Sequence, residues 1–179
     1  DAILESFNMK GCTPISTPSE PNSHLLKSDQ PAVPVKEAVR AYQQLVGSLM
    51  YLAHFTRPDI AYAVNQCAKY MSNPGPSHVA AAKRILRYLQ GTKSKGLTFK
   101  RTSDTRTANV LTSYADSDHA GDPDSRRSVT GYINMLNGAA ISWQSVRQQV
   151  VALSSAEAEY YAASVAGTDV QYVRRLLEE

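Results

Sequence analysis

A single change of rhythm constrains this chain more than any other feature. Up to about residue 95 its apolar residues recur every three or four positions, and afterwards they alternate and break at turn residues. Val39, Tyr42, Leu45, Leu49 and Leu52 fall on one face of a helix. Ile60, Val64, Cys67 and Met71 form a second stripe, with Pro58 suited to a first helical turn. Val79, Ala82, Leu86 and Leu89 form a third, with Ser77 as the expected cap and Gly91 as the stop. Ahead of them, residues 13–34 hold five prolines, a density that forbids long helix and predicts an extended linker.

Beyond residue 95, Gly96–Arg101 is expected to be a short strand and Thr102–Asn109 a polar connection. Val110–Ala115, Val129–Leu136 and Ala139–Trp143 read as strands, the last two joined by the hairpin dipeptide Asn137-Gly138. Gln148–Leu153 is expected to extend that sheet. A helix follows from Ser154 and is expected to break at Gly167, with Val170, Val173, Leu176 and Leu177 in a further helix. The expected fold class is α/β: a helical segment over residues 1–108, then an incomplete sheet-and-helix fold over 109–179. The strand that should pair beside the first is missing from the pattern, so an exposed edge and marginal stability or association are expected.

Charge divides the same way. Residues 1–108 carry 14 Lys and Arg against 7 Asp and Glu, whereas residues 109–179 carry 5 against 9. No acidic residue lies between Asp59 and Asp104, a span that holds Lys83, Arg84, Arg87, Lys93 and Lys95. These five are the candidate contacts to a nucleic-acid backbone; a merely solvated face is the plain alternative for the helix bearing the first three. No apolar run is long enough to span a bilayer. Two cysteines exclude a disulfide scaffold, and four scattered histidines give no zinc spacing, which points to an intracellular chain with reduced thiols. The start at Asp1 resembles neither an initiator nor a secretion signal, and suggests a product cut from something longer.

Four aspartates, Asp116, Asp118, Asp122 and Asp124, follow the first strand. Oxygen ligands in such density suit Mg²⁺ or Ca²⁺, but an EF-hand loop is excluded because Arg127 occupies the position that needs a bidentate Glu. A polar turn is the competing reading. Ser154 and Glu157 have the spacing of a capping box, which assigns Glu157 to the helix start and leaves Glu159 for another purpose. A helix N-terminus favours the ionised form that a metal ligand needs. If this helix packs on the sheet, Glu159 can meet Asp116 at the end of the first strand and share a cation, which the spacing permits.

The stretch Tyr114-Ala-Asp-Ser-Asp-His-Ala-Gly-Asp-Pro-Asp-Ser-Arg-Arg-Ser-Val-Thr-Gly-Tyr132 resembles the opening of the ribonuclease H domain of copia-type retrotransposons. Ile141-Ser-Trp143 and Val151-Ala-Leu-Ser-Ser-Ala-Glu-Ala-Glu-Tyr160 resemble the same domain further on. Upstream, Phe7–Pro14, Leu45–Leu52, Thr56–Val64 and Ala82–Leu89 resemble the segment that follows the polymerase palm in those polyproteins. The resemblance covers nearly the whole chain in the family's order. It implies Mg²⁺-dependent cleavage of RNA in RNA–DNA hybrids, with Asp116 and Glu159 as metal-binding catalytic residues and Glu157 a weaker candidate. It also implies that the family's other two carboxylates lie after Glu179 and its polymerase aspartates before Asp1. The chain is then expected to be inactive, or nearly so, in isolation, with nucleic acid and the rest of the Pol polyprotein as partners in the cytoplasm or nucleus. A non-catalytic nucleic-acid-binding module and a decayed retroelement remnant are the alternatives.

Overall fold

The computed structural model describes residues 1–21, 24–100 and 110–178, which form two compact units, Asp1–Gly96 and Leu97–Glu179. The connection expected over Thr102–Asn109, with the boundary at residue 108, lies outside the described residues.

The first unit is helical. A short α1 (Ala2–Ser6) precedes α2 (Lys36–Phe55), α3 (Ala61–Ala68) and α4 (Pro76–Gly91). The three-and-four spacing of α2 becomes a buried stripe of Tyr42, Leu45, Val46, Leu49 and Ala53, packed against Ile60, Val64 and Cys67 and against Ile85, Leu86 and Leu89 of α4. Tyr42 spans the core and donates its hydroxyl proton to the Cys67 carbonyl at 2.9 Å. Pro58 opens a 3₁₀ turn, Pro58–Ile60, that leads into α3.

Two sequence expectations fail here. Gly75, not Ser77, occupies the cap position of α4, because Pro76 takes the first helical position and starts the helix earlier. The Ser77 hydroxyl instead donates to Asp29 Oδ2 at 3.0 Å. The proline-rich segment carries a 3₁₀ turn, Lys27–Asp29, and is no free linker. Arg87 Nε donates to the Thr13 carbonyl at 2.9 Å, Tyr70 to the Leu25 carbonyl at 2.6 Å, and Asn73 Nδ2 to the Pro31 carbonyl at 2.9 Å. Ile15 and Leu25 pack against the core. Prolines remove donors but leave carbonyls, and those carbonyls are what α4 and the turn before it grip.

The second unit is a three-stranded antiparallel sheet, β1 (Leu111–Asp118), β2 (Val129–Leu136) and β3 (Ala139–Arg147), followed by α5 (Ser155–Glu178). Asn137 and Gly138 both take positive φ, 51° and 79°, as a tight hairpin requires. Among the described residues β1 pairs only with β2, so its outer edge is open. Residues 96–100 form no strand, since nothing described pairs with them. Residues 148–153 do not extend the sheet either. β3 ends at Arg147, and the Gln148 side chain turns inward to donate to Thr130 Oγ1 and to the Ala158 carbonyl, both at 3.0 Å. Gly167 does not interrupt the last helix, which runs unbroken for 24 residues; an interior glycine costs about 1 kcal/mol and packing overrides it. α5 lays Ala158, Ala162 and Ala166 against β1 and β2. No helix among the described residues is long and apolar enough to cross a membrane.

Candidate carboxylate site and basic face

Asp116 stands in β1 and is exposed, with Oδ1 accepting the Ser117 N–H at 2.8 Å. Two residues on, the chain folds back sharply, and the Asp118 carboxylate lies over Gly121, where a Cβ would displace it. Asp122 is a brace. It is 1% exposed and accepts from Arg147 Nη1 at 2.8 Å and from the Ser125 hydroxyl, while the Asp122 N–H donates to the Arg127 carbonyl at 3.0 Å. The acidic cluster is thus part turn, part exposed carboxylate.

The start of α5 is capped by its own sequence. Ser154 Oγ accepts the Glu157 N–H at 3.1 Å, and Glu157 Oε2 accepts the Leu153 N–H at 2.7 Å. The Ser154 half of the capping box forms, while Glu157 reaches back one residue further, to Leu153, and is occupied there. Glu159 is exposed, and no hydrogen bond or ion pair engages it among the described residues. His119 Nε2 lies 3.3 Å from the Ala152 carbonyl, which ties the turn after β1 to the segment leading into α5.

Strand alternation decides where the two carboxylates lie. Ser117 pairs with Thr130, and Thr130 faces α5 through Gln148. Asp116 pairs with Gly131 and belongs, with Tyr114 and Asp118, to the face that α5 leaves uncovered. Glu159 follows Ala158 and so flanks the buried stripe of α5. Asp116 and the helix that bears Glu159 therefore lie on opposite faces of the sheet. Carboxylate oxygens are the right donors for Mg²⁺, and both residues keep free oxygens, but two carboxylates are too few for a pair of dications. Among the described residues, no group of three or more His, Cys, Asp or Glu is arranged to hold a metal.

The five basic candidates separate. Lys83 is exposed. Arg84 donates to Glu20 Oε1 at 2.8 Å and Thr17 Oγ1 at 3.1 Å, so Arg84 and Arg87 together clamp the proline-rich segment along α4. Lys93 pairs with Asp1 at 2.8 Å, and with Lys95 it lines a cavity of about 370 Å³ floored by Leu4, Leu52 and Leu89.

Two polar clusters went unread in the sequence. Arg57, 7% exposed, grips Asp59 through two bonds of 2.9 and 2.8 Å and donates to the Thr92 carbonyl at 3.1 Å. Burial alone would push the Asp59 carboxyl up, but hydrogen bonds from Arg57 and Tyr88 bring it below its ordinary value. Opposite charges two residues apart around Pro58 were the available signal. The other cluster joins Asn134, Ser142 and Asp169 between the sheet and α5. Burial, reinforced by the Asp169 charge, raises the Tyr132 hydroxyl.

The chain is 43% identical over 182 residues to the retrovirus-related Pol polyprotein from transposon TNT 1-94 of Nicotiana tabacum, a match covering 100% of the chain and 13% of that protein. It is 41% identical over 180 residues to the retrovirus-related Pol polyprotein from transposon RE1 of Arabidopsis thaliana, covering 99% of the chain and 12% of that protein. It is also 49% identical over 125 residues to secreted RxLR effector protein 161 of Plasmopara viticola, covering 70% of the chain and 85% of that protein. The chain thus spans about an eighth of the Pol polyproteins it matches. No family model matches it, and no solved structure matches it significantly. With its full length matched at this identity, the chain belongs to the retrovirus-related Pol polyproteins of copia-type retrotransposons.

Proposed function

We propose that the chain is the junction between the reverse transcriptase and ribonuclease H portions of a Pol polyprotein. In this reading its second unit supplies two carboxylates of a Mg²⁺-dependent nuclease that cuts RNA in RNA–DNA hybrids. The observation that carries it is the ordered motif series, in which Asp116 falls on the first strand of an antiparallel sheet and Glu159 on the second turn of the helix packed on it. Bound Mg²⁺ supplies an activated water and stabilises charge on the leaving oxygen. Asp116 and Glu159 contribute carboxylate oxygens, the donor type that suits Mg²⁺. Lys83, Lys93 and Lys95 lie against the phosphates of the hybrid; Arg84 and Arg87 join them only by releasing residues 13–20.

Residues 1–179 hold two of the four carboxylates that the family resemblance requires, so the chain alone is inactive or nearly so. Incubation with a labelled RNA–DNA hybrid and Mg²⁺ tests this: robust cleavage that Asp116→Asn abolishes would overturn the inactivity. In a Pol polyprotein carrying this segment, Asp116→Asn and Glu159→Gln should each abolish hybrid cleavage. Wild-type cleavage by both would end the site assignment.

A second reading, a non-catalytic nucleic-acid-binding module, is favoured by the acid-free basic span over α4. It predicts hybrid binding by the 179-residue chain that weakens as salt rises, with no dependence on Asp116 or Glu159.

A further inference from the structure

The stripe by which α5 rests on the sheet is made of Ala158, Ala162 and Ala166. Alanines pack closely but interlock little, and they leave the rotation of the helix weakly determined. Two polar latches stand at its ends. At one, Gln148 bridges Thr130 Oγ1 and the Ala158 carbonyl. At the other, Asp169 Oδ2 accepts from Asn134 Nδ2 at 2.7 Å and from the Ser142 hydroxyl at 2.5 Å, while Asn134 Nδ2 also reaches Ser142 Oγ at 3.0 Å. Asn134 is fully buried. Asp169 lies eleven residues beyond Ala158, close to three whole turns and roughly 16 Å along the axis, and so on the same stripe. A half-buried carboxylate held by directed donors on two strands, one of them the fully buried Asn134, admits one rotation of the helix, as an alanine stripe does not.

We propose that Asp169 is a positioning residue: its bonds to Asn134 and Ser142 set the rotation of α5 on the sheet, and thereby the direction in which Glu159 is presented. The proposal rests on the reading of Glu159 as a metal ligand.

The test uses a Pol polyprotein carrying this segment together with the 179-residue chain. In the polyprotein, Asp169→Ala should raise the Mg²⁺ concentration for half-maximal hybrid cleavage at least fivefold and lower kcat at least tenfold, with KM for hybrid within twofold. Asp169→Asn keeps an acceptor for both donors and should stay within threefold of wild type. In the 179-residue chain, Asp169→Ala should speed backbone amide exchange in the second half of α5 while the sheet stays protected. If Asp169→Ala does not fold, Ser142→Ala, which removes one donor, decides in the same direction. An unchanged Mg²⁺ midpoint and kcat overturn the proposal, as does an Asp169→Asn defect as large as that of Asp169→Ala. Those outcomes leave the Glu159 reading intact if Glu159→Gln still abolishes cleavage. Wild-type cleavage by Glu159→Gln removes the underlying reading and the proposal together.

Discussion

Asp122 and Arg147 meet at 2.8 Å across the second unit, the carboxylate 1% exposed and the guanidinium still reaching solvent. The acidic turn after β1 is thereby fastened to the last residue of β3, two strands away in the sheet. One aspartate of the cluster is spent on architecture, which leaves the exposed Asp116 open for chemistry.

Removing the exposed member of that pair should be worse than removing the buried one. Arg147→Ala leaves the 1%-exposed Asp122 carboxylate without its counter-ion and should lower stability by about 3 kcal/mol. Asp122→Ala should cost about half as much, since it leaves a guanidinium that water reaches and loses only the bonds to Arg147 and Ser125. Urea denaturation of both variants measures the difference; equal losses would contradict the asymmetry.

Gly75 is required by space. A Cβ there would lie 1.8 Å from the Asp29 carbonyl oxygen. Gly75→Ala should cost about 2 kcal/mol by pushing residues 27–30 off the start of α4. Limited proteolysis should then cut within residues 24–31 well before the wild type is cut. Unchanged protection would mean that this segment is not docked in solution.

Burial pushes the Cys67 thiol up to about 12, with hydrogen bonding to Tyr42 and the Lys69 charge only partly opposing it. The folded value lies above the unfolded one, so the neutral thiol contributes stability that is fully present below the unfolded value near 9. That contribution is lost as pH rises through the window from about 9 to about 12. Iodoacetamide at pH 8.5 should modify Cys12, which is half-buried, and leave Cys67 untouched until the chain unfolds. Rapid native alkylation of Cys67 would contradict its place in the core.

The lysines and the arginines of the basic span should separate by salt dependence. Each of Lys83→Gln and Lys95→Gln should weaken hybrid binding and reduce the slope of log affinity against log salt by about 0.9 if it touches one phosphate. Arg87→Gln should instead release the Thr13 end of the proline-rich segment and lower stability, with little change in the salt slope. Titrations at several salt concentrations, paired with thermal melts, distinguish the two behaviours.

Much of the architecture was legible in the residues because it is local. The helical stripes, the Asn137-Gly138 hairpin with its flanking strands, and the Ser154–Glu157 cap each depend on neighbours a few positions apart, where spacing alone sets the face or the turn. Asp116 and Glu159 were nameable for the same reason, as a strand residue and a helix residue within recognisable motifs. The tertiary structure decided what depends on distant partners. It docked the proline-rich segment because α4 and the turn before it supply donors to its carbonyls, and it carried α5 through Gly167 because the alanine stripe lies on the sheet. It also joined Asp169 to Asn134, 35 residues away, and set Asp116 on the face of β1 that α5 leaves open. Periodicity specifies which side of an element is buried, but the partner that covers it, and the polar groups that must be satisfied there, are chosen only when the chain closes on itself.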